Sequence, residues 1–276
     1  MNDQIYPQTG SLPTSQLANQ PNVLWLSVSP YLKCFDQRLL SRLVKTAAIQ
    51  RWEYCQSLDE PCSTDAVVAS LHEYLGDRPY KTHLLGHGVS GVIALLYARR
   101  YPQQVASLTL LSVGAMPAVN WQAHYYALRG HLPCSREMIL TQMSRLLFGQ
   151  QPVRFASALA QLLKQDLDSN LTLHSLAHHA QVAPGGVEVP LLVCEGQTDS
   201  ILRGHESSWQ KWMKPGDRLW PCPEGNHFFH FQQSVAVAKA ISDYWLLLPN
   251  QPITAGQLGS YQRDSLTLAE SVKQSV

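Results

Sequence analysis

Short apolar runs that alternate with amphipathic stretches set the strongest limit on how this chain can fold. The runs are NVLWLSV at residues 22–28, AIQRWEY at 48–54, THLLG at 82–86 and VASLTLLSV at 105–113, and each has the length and β-branched or aromatic content of a buried strand. Between them, residues 36–47 place Leu39, Leu40, Leu43 and Val44 at helical spacing behind Asp36, which is placed to act as an N-cap. A second helix carries Val67, Val68, Leu71 and Leu75, with Ser63, Thr64 or Asp65 to cap it and Gly76 to end it. A third, GVIALLYARRYP, stops at Pro102. Strands separated by helices connect through right-handed crossovers, so the expected class is α/β with a mostly parallel central sheet flanked by helices.

The alternation breaks near Met116. From there to Gly186 the pattern is helical, with MILTQMSRLLFG and FASALAQLLKQDL carrying apolar residues three and four apart, and the sheet pattern returns with VEVPLLVCEG. The expected organisation is therefore a core of residues 22–115 and 187–248, a helical cap at 116–186, a flexible N-terminal leader at 1–21 and a flexible C-terminal tail at 249–276. The leader is polar, without the basic and apolar regions of a signal peptide, and no apolar run approaches the roughly 20 residues of a membrane span. With 276 residues, 45% of them hydrophobic, the chain can bury one sizeable core. A formal net charge of +1 offers no basic field for nucleic acid. Six cysteines without metal-site or scaffold spacing fit a reducing cytoplasm, although a Cys55–Cys62 disulfide stays open. No cofactor and no metal are expected, and oligomeric state is not legible.

Three motifs carry the chemistry: LLGHGVSG at 84–91, PLLVCEGQTD at 190–199 and EGNHFFHF at 224–231. In this order they resemble the α/β-hydrolase superfamily, over nearly all of residues 22–248. The resemblance implies a nucleophile on a sharp strand-to-helix turn, an acid at Asp199 and an imidazole at His227. The nucleophile position falls on Gly88, between His87 and Val89, and glycine has no side chain with which to attack. Such a glycine elbow also resembles the N-myc downstream-regulated proteins, which have the hydrolase fold and are regarded as non-hydrolytic. Ser90 is the nearest hydroxyl, but in the first turn of a helix it is expected to point away from the site. The oxyanion loop departs as well: Ser27, Val28, Ser29 and Pro30 stand where the family has His-Gly, and Pro30 lacks an N–H. The N–H of Val89 remains a candidate oxyanion donor.

The chain is therefore expected to have an α/β-hydrolase fold without serine-hydrolase activity, binding a small apolar ligand or a protein partner. The alternative is a hydrolase or lyase-like enzyme in which Asp199 and His227 serve as a general base without a covalent serine intermediate. Trp121, Tyr125, Tyr126, Met138, Met143, Leu147 and Phe148 are candidates to line an apolar pocket under the cap. His174, His178 and His179 include a pair one helical turn apart but lack an acidic third ligand, and they read as solvated or hydrogen-bonded histidines. Cys34 and Cys194 read as buried small hydrophobes.

Overall fold

The computed structural model describes residues 22–54, 63–76, 78, 80–117, 119–169, 182–202 and 209–248. The leader, the tail, Cys55, Cys62 and the three histidines of HSLAHHA lie outside these residues. Six strands form one sheet: β1 (Asn22–Ser27), β2 (Ala48–Glu53), β3 (Thr82–His87), β4 (Val105–Leu111), β5 (Leu191–Gly196) and β6 (Arg218–Cys222). Their order is β2-β1-β3-β4-β5-β6, and every neighbouring pair is parallel.

Side chains on a strand point alternately to the two faces, and a parallel sheet covered on both sides needs both sets to be apolar. In β1, Val23 and Trp25 join one buried cluster while Leu24 and Leu26 join another; in β5, Leu192 and Cys194 oppose Leu191 and Val193 in the same way. One face is covered by α1 (Gln37–Leu43) and α8 (Ser234–Leu247), through Leu39, Leu43, Val237 and Ile241. The other is covered by α2 (Thr64–Leu75) and α3 (Gly88–Arg100), through Val67, Leu71, Val92 and Ile93. Ser63, one of the three candidates, caps α2 by accepting from the Ala66 N–H. At the end of α8, Tyr244 and Trp245 pack on the core but Leu246 and Leu247 are exposed.

Between β4 and β5 the described residues form α4 (Trp121–His131), α5 (Arg136–Phe148) and α6 (Val153–Asp168). Their apolar faces make a third cluster, in which Ile139, Met143, Leu147, Leu159 and Leu163 meet Leu32, Phe35, Ile201 and Phe228 of the sheet-bearing part. Phe148 stacks on Phe228, with ring centroids 4.6 Å apart and planes at 11°, and lies 4.9 Å from Phe35. A four-residue helix, α7 (Phe229–Gln232), precedes α8.

Candidate functional site

The strand order locates the site before any side chain is considered. β1 pairs with β2 on one edge and β3 on the other, so the winding direction reverses between β1 and β3, and ligands of open α/β sheets sit at the carboxyl ends of such strands. The loop after β1 and the junction of β3 with α3 lie there. A cavity of about 30 Å³ opens at this point, lined by core residues including Ser27, Ser29, Asp36 and His87 to Ser90, and by Trp121 and Gln122 of α4.

β3 passes into α3 through a sharp turn at Gly88. Gly88 has φ +53°, the left-handed conformation that costs an L side chain about 1–2 kcal/mol, and an ideal Cβ placed there meets nothing within 4 Å. Its neighbours are crowded instead. A Cβ on Gly86 would come within 2.6 Å of the Gly91 nitrogen, and one on Gly91 within 2.5 Å of Val113 Cγ2. Strand and helix thus touch through Gly86 and Gly91, with open space at Gly88. Ser90 is the small residue the motif suggests, but Gly91 makes the close contact.

Ser90 corrects an expectation. Ser90 is one of the residues lining the cavity, and its hydroxyl reaches the loop after β1, where it accepts the Val28 N–H at 3.0 Å. The Val28 N–H, in the loop after β1, is therefore engaged by the protein itself. Val28 places its side chain in the core and does not line the cavity.

Asp199 and His227 come together as their motifs imply. His227 Nδ1 donates to Asp199 Oδ2 at 2.9 Å, and the other carboxylate oxygen accepts the Ile201 N–H at 2.9 Å. Both residues are buried. Burial alone would raise the Asp199 carboxyl, but His227 beside it and the N–H groups of Ile201 and Leu202 more than offset this and hold it below its ordinary value. With Nδ1 as donor, the lone pair of the neutral ring lies on Nε2, which is buried without a hydrogen-bond partner. The His227 backbone is fixed by two donors to its carbonyl, His87 Nε2 at 3.0 Å and the Ser112 hydroxyl at 2.5 Å. The same loop is tied to α5 by the Phe228 N–H on the Leu147 carbonyl.

A second histidine–carboxylate pair was not foreseen. Asp36 does not cap α1 through its side chain; its Oδ2 accepts from Trp25 Nε1 at 3.0 Å and its Oδ1 from His230 Nε2 at 3.2 Å. His87 lies between the two pairs, its ring 5.2 Å from His227 and 4.4 Å from His230. Burial, together with these two histidines, pushes the His87 imidazole well below its ordinary value, so the ring is neutral. A further buried carboxyl, Asp166 of α6, is pushed up to about 7 by burial, against the hydrogen bonds from Gln122 and Ser29. In the sequence His87 stands beside the elbow and Asp36 reads as a helix cap, while His230 and Asp166 are not singled out.

Of the residues expected to line a pocket under the cap, Trp121 lines this cavity and the other six do not. Tyr125, Met143, Leu147 and Phe148 are buried in the helical cluster, while Tyr126 and Met138 are exposed. Cys34 is exposed rather than buried, whereas Cys194 is buried. No group of three possible metal ligands occurs among the described residues, and none of their helices is long and apolar enough to cross a membrane.

This sheet, with a strand-to-helix elbow followed in order by an acid and an imidazole, defines the class. The model of the alpha/beta hydrolase family matches residues 25–240, and the chain belongs to that family. Among its relatives, an uncharacterized protein of Synechocystis sp. is 42% identical over 230 residues, covering 83% of this chain and 92% of its own length. Another uncharacterized protein, from Nostoc sp., is 40% identical over 246 residues, covering 89% and 98%. Among solved structures, a thermophilic esterase from Thermogutta terrifontis superposes with a TM-score of 0.61 at 20% identity, covering 83% of this chain and 90% of its own. The 2-hydroxy-6-oxo-6-phenylhexa-2,4-dienoate hydrolase of Rhodococcus sp. strain RHA1 gives 0.62 at 13% identity, covering 83% and 92%. At these identities the structural likeness is one of fold.

Proposed function

We propose that this chain binds a small ligand in the cavity above Gly88 and does not act as a covalent serine hydrolase. The observation that carries this is the open, side-chain-free position at Gly88. Two further facts support it. The Ser90 hydroxyl is engaged with the N–H of Val28, in the loop that the family resemblance would give to an oxyanion hole, and nothing lies within 4 Å of a Cβ on Gly88. Trp25, Leu32, Trp121 and Phe228 give the cavity apolar walls.

One observation favours a second reading. The buried Asp199–His227 pair leaves Nε2 unpartnered, which suits a general base acting on water. A panel of p-nitrophenyl esters and a serine-directed phosphonate probe separate the two. Ligand binding alone predicts no labelling and no turnover above that of His227→Ala. Turnover lost in His227→Ala without labelling supports the water-activating reading, and covalent labelling at Ser90 overturns both.

A further inference from the structure

The polar groups around the cavity are unequal in kind. Asp36 presents a carboxylate with about four acceptor positions, of which Trp25 Nε1 and His230 Nε2 use two. His87, also on the cavity wall, spends its Nε2 hydrogen on the His227 carbonyl, so its Nδ1 is an acceptor. Gln122 is 2% exposed, its amide nitrogen donates to Asp166 Oδ2 at 3.4 Å, and its Oε1 is buried with no partner. Donors line the space too, all of them uncharged: the Ser27, Ser29 and Ser90 hydroxyls, which also accept, and the Val89 N–H. No lysine or arginine is among the described residues lining the space.

An unpaired buried acceptor costs roughly 1–3 kcal/mol, and more when charged, so such a set favours a ligand that brings hydrogens. An alcohol brings one and a carboxylate brings none. A primary ammonium brings three hydrogens and a positive charge in about the volume of a water molecule, and a space of about 30 Å³ admits a group of that size. Trp25, Trp121 and Phe228 also line the space and offer aromatic surface, to which cations are attracted. We infer that the ligand of this cavity is a small primary amine whose ammonium group sits on Asp36, with Gln122 and His87 accepting its remaining hydrogens and its carbon chain against the aromatic wall.

Amine binding presupposes the ligand-binding role proposed above. The test titrates the full chain at neutral pH with n-butylamine, n-butanol and butyrate, following the Trp25 indole N–H by NMR, assigned with Trp25→Phe. Butylamine is expected to bind at least roughly tenfold tighter than butanol, the scale of one charge-assisted hydrogen bond, and butyrate to leave the resonance unmoved. Asp36→Asn should remove the preference for the amine. Gln122→Leu, which keeps the carboxylate, should weaken amine binding severalfold.

Equal or tighter binding of butanol or butyrate overturns the amine assignment while leaving a ligand site in place. So does a preference that survives in folded Asp36→Asn. Absence of binding by all three overturns it too. If Asp36→Asn does not fold, the wild-type ranking decides. Phosphonate labelling of Ser90 is a separate failure, that of the ligand-binding role itself.

Discussion

Gly88, Ser90 and Val28 form one unit, and its chemistry follows from which atoms are free. Gly88 supplies the left-handed turn but no side chain, while Ser90 supplies a hydroxyl whose oxygen accepts the Val28 N–H. On the proposed reading, a hydroxyl added at Gly88 alone would supply only part of a serine hydrolase's machinery. Gly88→Ser is expected to leave p-nitrophenyl acetate hydrolysis near the wild-type level. The double variant Gly88→Ser, Ser90→Ala frees the Val28 N–H and should exceed the single variant by roughly tenfold or more, since one oxyanion donor is commonly worth about 10²–10³ in rate. Initial rates of both variants check this, and equal rates would mean that the Val28 donor does not serve the site.

At the scale of elements, α6 reaches the core through a carboxyl. Asp166 is 2% exposed, and burial pushes it up to about 7. Because its folded value lies above the ordinary 3.8, the native state binds this proton more tightly than the unfolded chain does. The stability this contributes is complete below about pH 4 and is lost as pH rises through 7. Asp166→Asn cannot titrate, so relative to wild type it should gain on the order of 2 kcal/mol between pH 5 and pH 8. Urea unfolding at the two pH values measures it, and parallel pH profiles would refute it. His83, pushed down to about 4 by burial, acts in the opposite direction but is common to both proteins and cancels.

Across residues 22–248, the inserted helices and the sheet-bearing part share one apolar cluster, so they should unfold together. Phe148 is 1% exposed and contacts both Phe35 and Phe228, the latter next to His227. Phe148→Ala should cost about 3–5 kcal/mol, the usual range for a fully buried phenylalanine. Chemical denaturation followed by far-ultraviolet circular dichroism and by tryptophan fluorescence should give one coincident midpoint before and after the substitution. An early transition seen by circular dichroism alone would mean that the helices fold independently of the sheet.

The sequence by itself determined the parallel sheet, the helical interruption between its fourth and fifth strands and the order of the three motifs. Periodicity and turn residues are local, and the elbow, Asp199 and His227 each follow directly on a strand pattern. Contacts between distant segments were not legible there. Asp36 reads as a helix cap because its neighbours in sequence are helical, yet its partners are Trp25 and His230, the latter 194 residues away. Ser90 reads as a packing residue, yet it engages Val28 across 62 residues, and Gln122 and Asp166 carry no motif at all. Only the tertiary structure decided which hydrogen bonds are made and which buried acceptors stay unpaired, because those depend on where separate elements meet.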